Sequence, residues 1–387
     1  MSRTIPSYVE EMIDGAVSRL DNLKNEQTVS FAFMTDTHNC TTLTERGLYA
    51  LREIDRRAGV AFTCLGGDYL CNNARTSREK ALSQLRELGD LLESYTQPPV
   101  MVVNGNHDCN MFGPEENAVL PDEMYDIVMR HHRARFVCDD QAEKGMYGYY
   151  DVPEAKLRAV FLNVFDLTYR IKDGRLVPCG QPVGAALDGR QLQWVAERAL
   201  ALPPEWGIVF FAHTTPLPAP FEGGCERVFG GDALWEIICA CKRGTAYTAS
   251  ARCGVLSYDV HCDYTAQGPR DVIGFFCGHH HCDFTWKTDG IPIIVCLSAA
   301  SDNFETHVCG DGRCNEVEIT GRGHEVIERT RRMFSDIDRR MFEGFGDDEI
   351  ERLRENMVRV NANLRAMEEE DGECGHEGAS PENERMC

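Results

Sequence analysis

Apolar residues return along the chain with two spacings, and the alternation between them lays out the fold. Val9, Met12, Ile13, Val17, Leu20 and Leu23 trace one face of an opening helix. A short apolar run, Val29-Ser-Phe-Ala-Phe-Met34, then breaks off in Thr35-Asp-Thr-His38. The same grammar recurs. A helical stretch at Glu45–Arg57 precedes Val60-Ala-Phe-Thr-Cys-Leu65, which ends in Gly66-Gly-Asp68. A second, at Arg78–Glu93, precedes Val100-Met-Val-Val103, which ends in Asn104-Gly-Asn-His-Asp108. Short buried strands alternating with helices predict βαβ units and parallel pairing. Two later runs, Ile208-Val-Phe-Phe-Ala212 and Val272-Ile-Gly-Phe-Phe-Cys277, end in His213 and in Gly278-His-His-His281. Open α/β sheets build their sites at such C-terminal strand ends.

Between these runs, Leu187–Leu202 reads as a helix with Leu192, Val195 and Leu202 on one face. Beyond His281 the pattern shortens to strands at Phe284–Thr288, Ile291–Leu297, Val317–Ile319 and Val326–Thr330, with a hairpin turn at Gly321-Arg-Gly323. These belong to a second or extended sheet. After Met333, the residues Ile350, Leu353, Met357, Val360, Leu364 and Met367 form a heptad seam two to three heptads long. A helix over 347–369 either packs on its own domain or mediates self-association. Glu368–Cys387 is acidic and reads as a disordered tail. The division expected is a domain over residues 1–333, opened by a helix within 1–27, and a C-terminal helix and tail over 334–387.

Composition narrows the class. The chain has 387 residues, 43% hydrophobic and 26% charged, as a globular fold requires. Its formal net charge of -22 repels polyphosphate backbones and disfavours nucleic acid as a partner. The N-terminus has no apolar core of signal-peptide length and no run approaches a membrane span, so a cytoplasmic location without membrane contact is expected. The 18 cysteines include no CxxC pair and read as small buried hydrophobes. A disulfide scaffold is disfavoured, and a thiolate zinc site, with Cys309 and Cys314 its best candidates, more so.

The strand ends collect Asp36, His38, Asp68, Asn106, His107, Asp108, His213, His279 and His281. One strand-end Asp or His is usually structural. Five successive strand ends carrying oxygen and imidazole donors would bring uncompensated polar groups to one edge, and divalent cations supply the compensation. His279 and His281, two apart, reach the same side if strand-like alternation persists there, with His280 facing away.

These motifs, Asp36-Thr-His38, Gly67-Asp68, Gly105-Asn-His-Asp108, His213 and Gly278-His-His-His281, resemble in order the DxH, GD, GNH(D/E), H and GHxH signatures of the calcineurin-like metallophosphoesterases. The resemblance covers roughly residues 28–333. It implies a four-layer α-β-β-α sandwich of two mixed β-sheets flanked by helices, extended here by the C-terminal helix. It also implies one metal held by Asp36, His38, Asp68 and His281, and another by Asp68, Asn106, His213 and His279, with Asp68 bridging. The metals would be two divalent ions; oxygen and imidazole donors suit Mn, Fe or Zn. Water shared between two metals ionises near neutral pH and attacks phosphorus. His107 would then protonate the leaving group, with Asp108 orienting it. Cys40, Cys64, Cys71, Cys109, Cys277 and Cys282 lie near the motifs and are expected to pack around them. Cys71 stands where many relatives carry a polar residue.

The substrate implied is a small phosphomonoester or phosphodiester. Specificity would come from the connections 110–148, 165–184, 214–231 and 244–270, with Arg75, Tyr149, Asn163 and Tyr169 as candidate contacts. A nuclease of the same fold would need a basic groove, against the overall charge. A non-catalytic metal-binding scaffold is the remaining alternative, although none of the expected ligands is missing.

Overall fold

The structure, a computed structural model, describes residues 7–25, 28–38, 41–70, 76–93, 98–110, 114–141, 146–165, 169–172, 175–178, 185–220, 228–253 and 256–299. Three short strands, β1 (Ala32–Met34), β2 (Thr63–Leu65) and β3 (Val100–Val102), form a parallel sheet in that order. The helices between them are α2 (Thr41–Ala58) and α3 (Arg78–Glu93), preceded by α1 (Ser7–Leu23).

The second sheet has seven strands: β4 (Val137–Cys138), β5 (Gly148–Val152), β6 (Leu157–Phe161), β10 (Gly207–Phe211), β14 (Asp271–Cys277), β15 (Phe284–Thr288) and β16 (Ile291–Val295). Their order is β15-β16-β14-β10-β6-β5-β4. β6, β10, β14 and β16 run parallel, and β4–β5, β5–β6 and β15–β16 pair antiparallel. This sheet is therefore mixed, whereas the described strands of the first are all parallel. Smaller pairs complete the list: β7 (Tyr169–Lys172) with β8 (Arg175–Pro178), β9 (Ala185–Ala186) with β11 (Val228–Phe229), and β12 (Ala246–Cys253) with β13 (Leu256–Asp263).

Phenylalanines join the two sheets. The Phe211 ring lies 5.1 Å from Phe31, 5.5 Å from Phe62, 5.3 Å from Phe161 and 5.4 Å from Phe276, centroid to centroid. These distances, with stacked and edge-on geometries mixed, are those at which aromatic pairs gain beyond area burial. On one side Leu48 of α2 and Ala81, Leu85, Leu88 and Leu92 of α3 share this core. Across the larger sheet a second core gathers α5 (Gly189–Trp194), α6 (Gly231–Arg243) and β13 around Val160, Ile208, Phe210 and Phe275. Helix, sheet, sheet and helix give the α/β sandwich, with parallel strands from both sheets ending on one edge.

Two local expectations change. α1 buries Val9, Ile13 and Val17 against Tyr49, Ala50 and Ile54 of α2, but Met12 and Leu23 are 66% and 69% exposed. Met12 sits a hundred degrees round the helix from Ile13, and Leu23 is its last residue. The helix read over 187–202 begins at Gly189, capped by the Asp188 carboxylate, and widens into a π-type turn at Val195–Ala199. The 244–270 connection is the β12–β13 hairpin, packed along α5, with Leu256 and Cys253 at its tip clustered with Ala186 and Phe229. Residues 300–387, with their expected strands, the 347–369 helix, Cys309, Cys314 and the boundary at 333, lie outside the described residues. No described helix is long and apolar enough to cross a membrane.

One buried cation ties the outer helix to the larger sheet. Arg158 on β6 grips its register partner Asp151 on β5 through two bonds of 2.7 and 2.8 Å. Its Nη1 donates to the carbonyls of Arg198, Ala199 and Ala201, which end the helix, at 3.0–3.2 Å. Its guanidinium lies 3.7 Å above the Tyr149 ring. The Tyr149 ring is thus packed between Arg158 and Trp194. Replacing Arg158 with alanine should lower stability by about 2–3 kcal/mol in urea unfolding, less than a fully buried pair because the Asp151 side chain is 32% exposed.

Candidate metal centre

Five strand ends deliver the candidate residues to the shared edge: β1 to Asp36 and His38, β2 to Asp68, β3 to Asn106 and His107, β10 to His213, and β14 to His279 and His281. Each chain segment turns sharply as it leaves its strand. Asp36, His38, Asp68, His279 and His281 all adopt left-handed backbone, with φ of 55°, 44°, 57°, 70° and 53°. Non-glycine residues rarely occupy that region, and such strain gathers at functional sites. The strand-like alternation expected for the three histidines therefore does not occur. His279 and His281 reach the centre because each peptide turns back on itself, while His280 stays beside them with its ring 5.0 Å from that of His279.

The two aspartates are held alike. Asp36 Oδ2 accepts from the His279 N–H at 3.0 Å and from Thr35 Oγ1 at 2.6 Å. Asp68 Oδ1 accepts from the His107 N–H at 2.9 Å. In each case a histidine backbone from another strand end holds one carboxylate oxygen, and the other oxygen faces imidazoles. Asp36 Oδ1 is 3.1 Å from His281 Nε2 and 3.9 Å from both His38 Nε2 and His213 Nε2. Asp68 Oδ2 is 3.2 Å from His213 Nε2 and 4.0 Å from His38 Nε2. Glycine makes this approach feasible: a methyl at Gly105 would overlap Asp68 Oδ1, and one at Gly278 would overlap Asp36 Oδ2.

The donor atoms form two groups, each within 4.8 Å: Asp36, His38, Asp68 and His281, and Asp68, His213 and His279. Asn106 Oδ1 joins the second, 3.2 Å from His213 Nε2 and 2.9 Å from His279 Nδ1. His213 Nδ1 donates to the Gly66 carbonyl at 2.7 Å, and His38 Nδ1 faces the Leu70 carbonyl at 3.3 Å. Those bonds turn the Nε2 lone pairs inward, toward one another and toward carboxylate oxygens. His38 Nε2 and His281 Nε2 meet at 3.0 Å, and the buried Asp36 Oδ1 is approached by imidazole nitrogens, His281 nearest. Acceptors converging on acceptors fit divalent cations bound by oxygen and nitrogen.

Electrostatics agree with that fit. Burial resists ionisation of Asp36 and Asp68, yet the neighbouring imidazoles, His213 first, hold both carboxyls below the ordinary value. Burial likewise opposes a proton on His213, but Asp68 and Asp36 raise it to about 10. His281 is raised by Asp36 against its own burial, whereas burial lowers His38. Without cations, a proton on His213 thus offsets part of the carboxylate charge. Burial also takes His107 down to about 4.

Asp108 works through the backbone. Its Oδ1 accepts from the Tyr69 N–H at 2.7 Å, and its Oδ2 from Gly105 at 2.7 Å and Asp68 at 3.0 Å. It clasps the turn after β2 to the turn after β3. Burial and the Asp68 charge push its carboxyl up to about 7, although the N–H groups of Gly105 and Tyr69 favour the ionised form. This clasp was not read from the sequence; the Asp three residues after Gly105 in Gly-Asn-His-Asp is its only signal there. The main chain of Asn163 exchanges bonds of 2.9 Å with the Gln191 side chain, and its own Oδ1 accepts from the Phe165 N–H at 3.2 Å. Phe165, which the sequence reading passed over, sets its ring 5.7 Å from His213 and 6.4 Å from His279. Cys64 and Cys277 are fully buried, with thiols pushed well up by burial, and no cysteine belongs to either donor group among the described residues. Cys40, Cys71 and Arg75 lie outside the described residues, as does the Tyr169 side chain.

The family model of the calcineurin-like phosphoesterases matches residues 29–283, more than half of the chain. No curated protein matches it. Solved structures with a similar course include a phosphopantetheinyl hydrolase from Mycobacterium tuberculosis (13% identity, 71% of this chain and 92% of that one, TM-score 0.31). Another is a candidate 5′-nucleotidase from Staphylococcus aureus (14% identity, 70% of this chain, TM-score 0.39), of whose length this chain spans about half, 48%. A third is GAP50 of Plasmodium, an anchor in the inner membrane complex (11% identity, 70% of this chain and 72% of that one, TM-score 0.35). Likeness at this level says nothing of what the chain acts on.

The clasp by Asp108 has a measurable consequence. Asp108→Ala strands three buried N–H groups and should cost about 3 kcal/mol in urea unfolding of the metal-free protein. Asp108→Glu, with a longer side chain in the same packed space, should not restore it.

Proposed function

The chain belongs to the calcineurin-like phosphoesterase family and is a metal-dependent phosphoester hydrolase; on that premise we propose how its residues divide the work. Asp36, His38, Asp68 and His281 hold one divalent cation, and Asp68, Asn106, His213 and His279 hold the other, with Asp68 common to both. The convergence of buried donor atoms carries this reading, above all Asp36 Oδ1, which faces three imidazole nitrogens, and the facing Nε2 atoms of His38 and His281. Manganese, iron and zinc all suit such a donor set. Two dications supply Lewis acidity toward phosphoryl oxygens and a water ionised near neutral pH.

The chain's own groups supply the remainder. His213 would give up its Nε2 proton when a cation is bound there, and its Gly66 bond would hold the ring in place. His107 sits at the rim, with a side chain 21% exposed and Nε2 3.9 Å from Asp68 Oδ2. From there it gives a proton to the departing alkoxide. Burial keeps it neutral in the free protein; the negative charge of a bound phosphoester favours its protonated form. Asp108 positions His107 through the shared turn. The substrate is a small phosphomonoester or phosphodiester.

Two experiments test these assignments. His107→Ala should reduce kcat for an alkyl phosphate by about 100-fold or more while barely changing that for p-nitrophenyl phosphate, whose leaving group needs little protonation. Because the acting form is protonated, wild-type kcat on the alkyl ester should fall as pH rises while the p-nitrophenyl rate does not follow it. Equal losses on both substrates would remove His107 from this role. In metal analysis of manganese-loaded protein, His280→Ala should retain two ions, and His279→Ala and His281→Ala should each lose most of one. Asp68→Ala should weaken both sites and abolish turnover.

A further inference from the structure

A small cluster around Asp36 remains unexplained by the ligand assignment alone. Thr35 and Ser298 are both buried, and both place a hydroxyl on Asp36. Thr35 Oγ1 donates to the carboxylate at Oδ2, and Ser298 Oγ donates to the main-chain carbonyl of Asp36 at 2.8 Å. Beside them the Ala299 N–H donates to the Thr35 carbonyl at 3.0 Å, and the Asp36 N–H donates to Gly67 at 2.9 Å. Ser298 and Ala299 follow β16 and lie beyond residue 283, where the family match ends.

We propose that Thr35 and Ser298 are positioning residues that fix Asp36 from both sides, the first setting which carboxylate oxygen faces the centre and the second holding its left-handed peptide. The inference rests on the reading of Asp36 as a metal ligand. A carboxylate on a single rotatable bond can present either oxygen. With Oδ2 saturated by the Thr35 hydroxyl and the His279 N–H, only Oδ1 is left to face the imidazoles. The absence of a side chain at Gly278 leaves the space that Thr35 Oγ1 and Asp36 Oδ2 share. Asp68 has no such hydroxyl among its described bonds, so the device serves one ion more than the other. Ser298 acts where the backbone is strained, at φ of 55°, and its bond spans 262 residues of sequence to close the sandwich edge over β1.

Thr35→Val keeps the shape and removes only the donor; Thr35→Ser keeps the donor. Calorimetric titration of the metal-free full chain with manganese should resolve the weaker of two sites in Thr35→Val, its affinity lowered about 10- to 100-fold, with Thr35→Ser close to wild type. Ser298→Ala should weaken the same site. The metal-free variants should lose no more stability than one buried hydrogen bond is worth, with Thr35→Ser losing less than Thr35→Val. Wild-type manganese affinity in Thr35→Val, or an equal affinity loss in Thr35→Ser, would each overturn the proposal. Asp36→Ala is the control for the underlying reading: if it still binds two manganese ions as tightly as wild type, the ligand assignment itself fails, whatever Thr35 does.

Discussion

Two carboxylates buried at one edge of a sandwich, and kept ionised there, are the constraint around which the rest of the site is built. An unpaired charge in that position would cost several kcal/mol, and removing one member of a buried set is as damaging as never having paired it. The chain meets the demand with histidines used twice over. His279 and His107 give their backbone N–H groups to Asp36 and Asp68, while imidazoles from other strands lower both carboxyl pKa values. Each contact joins residues from different strands, so the edge exists only when both sheets are assembled. The chemistry of the family thus depends on tertiary structure at almost every bond.

The aromatic layer between the sheets supplies the rigidity this needs. Phe211 stands two residues before His213, and Phe276 three before His279, and the two rings stack at 5.4 Å. The strands that deliver these histidines are therefore locked to each other just beneath the centre. Phe62 and Phe161 extend the layer to the parallel sheet and to β6. A site on strand ends gains precision from such packing, because a loop-borne imidazole would otherwise wander by more than metal coordination tolerates.

Much of this was legible in the sequence, for a physical reason. A strand buried on both faces has to be an apolar run, and a polar break after it marks where the chain leaves the sheet. Five such breaks located Asp36, Asp68, Asn106, His213 and His279, and α3 was read to its residue bounds. What was not legible depends on contacts between distant segments. Nothing local says that Asp108 would clasp the Asp68 and Tyr69 peptides, or that Tyr149 would lie under Arg158. The β12–β13 hairpin was missed because Ala246–Cys253 alternates weakly apolar and polar residues, too faintly to announce a strand until α6 packs on β12 and α5 on β13. The left-handed turns at His279 and His281 are invisible for another reason: the residues are not glycine, so the usual signal of positive φ is missing.

Those left-handed positions set the fold against its own function. At Asp36, His38, Asp68, His279 and His281 the backbone alone would be better served by glycine, by about 1 kcal/mol apiece. Exchanging any one of them for glycine would relax its own backbone and yet strand the charges it faces, so local strain and site electrostatics oppose each other there. Side chains at these five places stand against a local backbone preference, and their presence together is a mark of use that no buried leucine could provide.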